Sequence, residues 1–473
     1  MKVLLVGNPR TVKGFNRLTK LPSLNLASLA ANVEEGVADI RIADLVLRDK
    51  NPGQALMRVL QDFRPDVAGF TAMSFQYRAA LDLIKLTRSF DPGITTILGG
   101  YHATADGEAI LAGDDHRYID YLIDGEGEVP FNALLKTLRS GGSLADVPAI
   151  LYREQDRVVK TDRAPLLPPE DIRLPRRDLR MYKEGFHVLG EPGDVIETSR
   201  GCVYDCNFCS IRHMYGKSFR KFSVERILGD LEDARRHGAR SIFITDDNIT
   251  LDGKRLQHLC DEIVKAGLGM KFAVQASVRG FRKNPGLAEA MARAGTKIVF
   301  LGIENASDSA LEFMQKSNQL KSADTIEVVN TLKKHGILVV GGFIFGYPED
   351  TEATLMENYR YAKMLGIDIP LFNILTPHLK TELRDELLRE GLVTNPSDYS
   401  RYNHYHSNVR TRHLTDGQLY AIRNRLDAKY PLDSGSFIRL MKAYPRFFSG
   451  LMIKMIMDEP RNWFNFATGI FRT

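Results

Sequence analysis

Three of the four cysteines in this 473-residue chain, Cys202, Cys206 and Cys209, lie close together in C-x3-C-x2-C spacing. They directly follow Asp194–Thr198, a stretch that reads as a β-strand. Four thiolates would suit a structural zinc or a fully ligated iron–sulfur cluster. Three packed thiolates suit a [4Fe-4S] cluster with one iron left open, where a substrate or cofactor can bind directly. A zinc knuckle is the competing reading, with His213 available as a fourth ligand. The fourth cysteine, Cys260, lies in a helical pattern and reads as a small buried apolar residue.

The stretch TSRGCVYDCNFCS resembles the signature of the radical S-adenosylmethionine (SAM) enzymes, in its spacing and in Phe208 before the last cysteine. The resemblance implies that Cys202, Cys206 and Cys209 hold a [4Fe-4S] cluster and that the amino and carboxylate groups of SAM chelate its open iron. One electron from the cluster then releases a 5′-deoxyadenosyl radical.

Such chemistry needs elements to hold it, and a chain of this length should fold as two or three domains. A net charge of +5 is mild for this length, and no basic block is dense enough to argue for nucleic acid. Four cysteines, three of them clustered, do not make a disulfide framework, so a reducing cytoplasm is expected. The opening MKVLLVGNPR stops being apolar at Asn8-Pro9, too soon for a signal-peptide core, and no run approaches the length of a membrane span.

Residues 1–140 alternate short apolar strands with helical patterns. The strands expected are Val3–Val6, Asp39–Ala43, Val67–Thr71, Thr95–Leu98 and Tyr118–Ile123. Five βα units of this kind predict a doubly wound, Rossmann-like α/β sheet that binds ligands outside the carboxyl ends of its strands. Asn8, Thr71, Ser74, Gly99, Gly100, His102, Gly125, Glu126 and Gly127 fall at those ends, where glycine lets backbone approach a ligand. LGGYHAT and IDGEGEVPF resemble the loops of the cobalamin (B12)-binding domain that precedes many radical SAM barrels. The resemblance assigns those nine residues to the corrin and its nucleotide tail. One departure is clear: the wider pattern has D-x-H-x-x-G after the first strand, whereas this chain has GNPRTVKGF without histidine. No lower axial imidazole is expected from that loop.

Residues 141–193 carry six prolines and many charges, and read as an extended linker with a small hairpin, Ala149–Tyr152 and Arg157–Lys160. Residues 194–380 return to a strand–helix beat with six strands, which predicts a (β/α)6 partial TIM barrel with its mouth at the carboxyl ends. The family resemblance then gives roles to the strand ends. Asp246 or Asp247 would accept from the SAM amino group, Ser277 and Arg279 follow the third strand with the arginine facing the SAM carboxylate, and Glu304 would hold the ribose. Gly346 and Pro348 would shape the turn at the adenine. Lys380 stands where the family stretch T-P-x-x-G-T-x-L has glycine, which puts that turn in question.

Residues 381–473 read as a mainly helical region. Tyr399–His406 collects three tyrosines and two histidines that would line a substrate pocket or sit as a surface loop. Thr415 should cap a helix to Leu426, and the tail from Ser436, rich in Phe and Met, should dock on the barrel or contact a membrane surface.

The resemblance implies a cobalamin-dependent radical SAM enzyme that methylates an unactivated carbon. The alternatives are a radical cyclase, a C–C bond-forming or rearranging enzyme without net methylation, and a cobalamin or iron–sulfur sensor. A small-molecule or lipid-like substrate and an electron donor such as flavodoxin or ferredoxin are the expected partners. Replacing Cys202, Cys206 or Cys209 with Ala should abolish the cluster absorbance and SAM cleavage of anaerobically reconstituted protein, and Cys260→Ala should leave both. Cluster loss in Cys260→Ala with retention in a triad variant would overturn the ligand assignment.

Overall fold

The computed structural model describes residues 1–9, 19–188, 190–316 and 322–445. Its first eight strands are β1 (Lys2–Gly7), β2 (Thr19–Lys20), β3 (Asp39–Asp44), β4 (Val67–Thr71), β5 (Thr95–Gly99), β6 (Tyr121–Ile123), β7 (Ile150–Glu154) and β8 (Arg157–Lys160). All but β2 form one sheet in the order β3-β1-β4-β5-β6-β7-β8. The pairs from β3 to β6 are parallel. In this order β1 and β4 flank the point where the chain reverses direction across the sheet, which is where doubly wound folds bind ligands. The residues of β1 alternate between two cores: Leu4 and Val6 join one, Val3 and Leu5 the other. This period of two, on a strand without polar interruption, is what a sheet covered on both faces requires.

The hairpin expected as part of the linker joins this sheet. Strand β7 pairs antiparallel with β6 and β8 with β7, so residues 150–160 extend the sheet edge. A second difference lies after β5. The helix there runs Tyr101–Ala112 and begins immediately after Gly100, so His102 and Thr104 are helical and buried instead of lying in a loop.

The second sheet uses β9 (His187–Val188), β10 (Glu191–Ile196), β13 (Ser241–Ile244), β14 (Lys271–Ser277), β15 (Thr296–Glu304), β16 (Leu338–Phe345) and β17 (Ile369–Ile374). Two further short strands, β11 (Ser199–Arg200) and β12 (Arg220–Lys221), pair only with each other. Strands β10 and β13 to β17 are six parallel strands in sequence order, an open half-barrel. At its edge β9 runs antiparallel to β10, and β2, from the N-terminal part of the chain, runs antiparallel to β9.

The segment after the hairpin is fastened by buried charge. Arg177 has no exposed side-chain surface; it donates to Asp194 at 3.1 Å, Asp230 at 2.5 Å, Asp233 at 3.0 Å and the Val195 carbonyl at 3.0 Å. Arg180 adds a two-pronged pair with Asp194. The same segment holds the first domain, since Met181 N donates to the Ile42 carbonyl and Arg176 N to the Ala27 carbonyl. The prolines and arginines of this stretch thus build a clamp between the two sheets.

At the far end, the helix Asp416–Asp433 opens on a Thr415–Gln418 capping box and docks on the sixth barrel strand. Arg423 donates to the Phe372 carbonyl at 2.8 Å, and Tyr430 to the carbonyls of Ala362 and Ile367. The Phe- and Met-rich tail beyond residue 445 lies outside the described residues. Among the described residues no helix is long and apolar enough to cross a membrane.

Arg177→Ala would leave Asp230 buried without its cation. Unfolding in urea should show a loss of about 3–5 kcal/mol, the usual cost of breaking a buried ion pair from one side. A loss below about 1 kcal/mol, as at exposed pairs, would contradict the clamp.

Candidate active site

The cysteine loop is tied at its base. Strands β11 and β12 form an antiparallel ribbon around residues 201–219. At the start of the loop Gly201 has φ +86°, and a Cβ there would lie 2.4 Å from the Ser218 carbonyl oxygen, so only glycine lets the two arms close. Asp247, just past β13, accepts from Gly201 N at 3.0 Å. Its neighbour Asp246 is buried with both oxygens used, accepting from Thr198 N and Thr198 Oγ1 at 2.6 Å each. Of the acidic pair expected at SAM, Asp246 therefore positions the strand end, and Asp247 keeps an oxygen free. Burial pushes the Asp247 carboxyl up to about 6.

Among the described residues the three loop cysteines form no disulfide, with Cys206 buried and the other two partly covered. Burial, and then the repulsion of neighbouring thiolates, pushes Cys209 up to about 12 and raises Cys202. Such thiols ionise only with a cation among them. Among the described residues no three His, Cys, Asp or Glu side chains converge on a single ion position. His213 is engaged by the Lys380 backbone. Cys260 is buried in the helix Gly253–Ala266, within the barrel core.

The remaining barrel residues sit at strand ends as expected, with differences in detail. Glu304 closes β15 at φ +64°, where the register with β16 shifts, and it pairs with Lys316. Lys316 is almost fully covered, and the charges of Cys206 and Cys209 reach it as well. It therefore stands between the cysteine loop and Glu304, a position that sequence reasoning missed because nothing in its local pattern separates it from a surface lysine. Ser277 caps the helix Val278–Lys283 and is bonded to Thr250. Arg279 lies 5.8 Å from the Tyr204 ring in the cysteine loop and has no ion pair among the described residues. Gly346 and Pro348 form a turn held by Asp350, which accepts from Gly346 N and Tyr347 N, and the Pro348 carbonyl accepts from Arg412 in the C-terminal region. Lys380 adopts φ +62°, so the turn keeps the left-handed geometry of the glycine it replaces. A non-glycine residue there costs on the order of 1 kcal/mol. Its Nζ donates to the Thr104 carbonyl of the first domain at 3.0 Å.

A cavity of about 490 Å3 lies between the carboxyl ends of the two sheets. From the first sheet it is lined by Thr71, Gly99, Gly100 and Gly125–Glu128, and from the barrel by Glu197, Arg200 and Asp247. Met214 and Tyr215, from the end of the cysteine loop, close it. Gly100, at φ +92°, is pressed so closely on the third strand end that a Cβ would sit 2.8 Å from Thr71 Oγ1 and 2.9 Å from the Ala72 carbonyl oxygen. Three of the nine residues expected at cobalamin do not line this cavity. Ser74 and His102 are buried against each other, Oγ to Nδ1 3.3 Å, and the His102 ring packs between Tyr77 and Tyr399. Asn8 donates to the Gln76 carbonyl. None of the three lines the cavity. The early start of the helix after Gly100 is the reason for His102.

Arg200, the arginine before the first cysteine, joins both sides of the cavity. It grips Glu197 with two bonds of 2.8 and 2.7 Å and reaches Glu128 of the first domain at 2.8 Å. Glu126 lies at 3.3 Å and also pairs with Arg220. Burial opposes charge here, yet the carboxylates hold Arg200 well above its usual value, and Arg200 holds Glu128 below its own.

The model of the Radical SAM superfamily matches residues 196–362 and that of the B12 binding domain residues 11–135. Over 423 residues, 89% of this chain and 90% of the relative, it is 31% identical to the uncharacterized methyltransferase PH0819 of Pyrococcus horikoshii. The chain belongs to the radical SAM superfamily and carries a B12-binding domain. This radical SAM chain is also 25% identical to the anaerobic magnesium-protoporphyrin IX monomethyl ester cyclase of Cereibacter sphaeroides, over 81% of its own length and 62% of the relative's. Its fold matches that of the radical SAM methyltransferase TsrM from Kitasatospora setae, a structure with cobalamin and a [4Fe-4S] cluster bound. There the TM-score is 0.68, with 19% identity and coverage of 84% of this chain and 76% of the other.

The protein's cofactors are accordingly a [4Fe-4S] cluster, SAM and cobalamin, and the residues present fit them. Three thiols on one loop suit the cluster, and a glycine-walled cavity at the strand ends suits a large flat ligand with a tail. Gly100→Ala should lower stability by about 1–3 kcal/mol, the range for overpacking, read as a fall in the thermal midpoint. An unchanged midpoint would show that the strand ends can move apart.

Proposed function

We propose that this radical SAM enzyme is a cobalamin-dependent C-methyltransferase acting on a small molecule. The observation that carries the reading is the shared cavity: loop residues of the B12-binding domain and of the cysteine loop face one space, so two cofactors would meet there. The curated relative named as a methyltransferase, matched over nearly its whole length, supports it. When bound, the cluster supplies the electron that cleaves SAM, and cobalamin supplies the methyl group.

The chain's own residues bind, orient and shield. Cys202, Cys206 and Cys209 would hold the cluster. Asp247, with one oxygen free, would accept from the SAM amino group, and Glu304 from the ribose hydroxyls; each is a charge-assisted bond. Lys316 holds Glu304 in place and offers a cation beside the cysteine loop. Gly99, Gly100 and Gly125–Glu128 would border cobalamin, with Arg200 keeping that border in register with the cysteine loop. The lack of a disulfide among the described residues fits a reducing cytoplasm, and a flavodoxin or ferredoxin fits the need for single electrons. The relative named as a cyclase favours a second reading, radical ring formation without net methylation.

With dithionite, SAM and hydroxocobalamin, anaerobic protein incubated with extracts should form 5′-deoxyadenosine together with S-adenosylhomocysteine and a product heavier by one methyl. 5′-Deoxyadenosine without S-adenosylhomocysteine would favour the cyclase, and neither product would sink both readings. Glu304→Ala should weaken SAM binding by roughly 1.5–3 kcal/mol with the cluster retained. Unchanged affinity would move the ribose contact elsewhere. The Co(II) form should lack nitrogen splitting from an axial histidine in its paramagnetic spectrum, since GNPRTVKGF contains none. A clear imidazole signal would contradict this.

A further inference from the structure

The turn after β17 and the stretch Tyr399–His406 bring together a set of groups that the cofactor reading leaves unused. The rings of His378 and His404 lie 5.0 Å apart, tilted by 61°. Neither ring has a hydrogen-bond partner among the described residues, and His378 Nδ1 is covered without one. Both rings keep accessible surface, His404 more than His378. Desolvation by the surrounding protein nevertheless pushes them down to about 3 and about 4, so each is a neutral imidazole with one N–H to give.

Their placement is costly and fastened. His404 stands at φ +65°, a conformation non-glycine residues avoid, and its carbonyl accepts from Ile374 N at the end of β17. The His378 carbonyl accepts from Thr381 Oγ1 at 2.7 Å. The turn they border is packed on the cysteine loop, because Leu383 N donates to the Asn207 carbonyl between Cys206 and Cys209. It also meets the B12-binding domain, through Tyr101 donating to the Leu379 carbonyl at 2.8 Å.

Among the described residues neither cation beside the pair makes a direct ion pair. Arg384 is buried, and its guanidinium donates to the carbonyls of Pro377 and Pro396 and to Tyr402 Oη, all neutral. Lys380 Nζ is bonded to a carbonyl as well. Among the described residues neither cation has a carboxylate partner. Asp106 is within electrostatic reach of both, but its carboxyl is bonded by Tyr399. A buried cation without a counterion is unfavourable, and an arriving anion relieves it.

We propose that His378 and His404, flanked by Lys380 and Arg384, form the site that recognises an oxyanion of the substrate, a carboxylate or a phosphate. The two imidazole N–H groups converge on the anion's oxygens, and the two cations supply the field. The assignment rests on the enzymatic reading above, because the anion would belong to the molecule being alkylated. It narrows that substrate to acidic small molecules and counts against a wholly neutral lipid.

The test needs no knowledge of the substrate. Anaerobic, cluster-loaded full-length protein is dialysed to equilibrium against labelled inorganic phosphate, and separately against labelled acetate, which distinguishes a tetrahedral from a planar oxyanion. At least one of the two should bind saturably. His378→Asn and His404→Asn should each weaken that binding by about tenfold, equivalent to 1.4 kcal/mol. Thermal midpoint and cluster absorbance, measured on each variant, check that it is folded and loaded. Saturable binding of neither anion, or equal binding by wild type and both variants, overturns the site. SAM cleavage by the wild-type protein, measured on the same sample, separates this failure from failure of the radical SAM reading.

Discussion

The buried guanidinium of Arg200 is the interaction on which the assembly most depends. It closes the strand that leads into the cysteine loop, and it is bonded at once to Glu197 of the barrel and Glu128 of the first domain. A buried ion network of this kind contributes little net stability, because desolvation offsets most of the attraction. Its effect is on geometry. Three carboxylates converge on one fork-shaped donor, so the Gly125–Glu128 loop and the cysteine loop have one mutual position in which every charge is satisfied. The cavity between them inherits its width from that constraint.

The same logic recurs on the other side of the molecule. Arg177 and Arg180 hold the segment after the hairpin on β10, while backbone bonds from Arg176 and Met181 hold it on the first domain. Near the barrel mouth Lys380 and Tyr101 cross between the domains. The two sheets thus meet through fixed polar contacts at several places. For radical chemistry this matters, because a reactive carbon centre must meet its partner before it meets solvent or protein.

Among the described residues seven non-glycine positions have positive φ, and three of them lie where such positioning is needed. Glu304, Lys380 and His404 all adopt left-handed conformations without being glycine. Each is over-determined by its neighbours: a register shift and Lys316 for the first, the packed turn for the second, and a backbone bond from β17 for the third. Strain of this kind persists only where the surrounding structure holds it, and it gathers at sites where a side chain must be aimed.

Much of the fold was legible in the chain because both sheets are built from short apolar runs with clear breaks. Val67–Thr71 forms a strand with the bounds read from its pattern. The cysteine spacing pointed to the cluster for a similar reason: ligands close in sequence on one loop carry their geometry with them. The hairpin's place in the first sheet, and the clamp built by Arg177, were not legible, since local pattern does not record which edge or which carboxylates a segment will meet. Ser74 and His102 show the limit most plainly. They lie in loops that resemble a cofactor site, yet a helix starting one residue after Gly100 turns His102 into the packing between Tyr77 and Tyr399. The amino-acid sequence by itself determined the strand–helix rhythm, the thiol donor set and the absence of a histidine after the first strand. Only the tertiary structure decided that Asp247 and not Asp246 keeps a free oxygen, that Lys316 stands beside Glu304, and that His378 and His404 meet, because these depend on contacts between residues far apart in the chain, whose directions no local periodicity encodes.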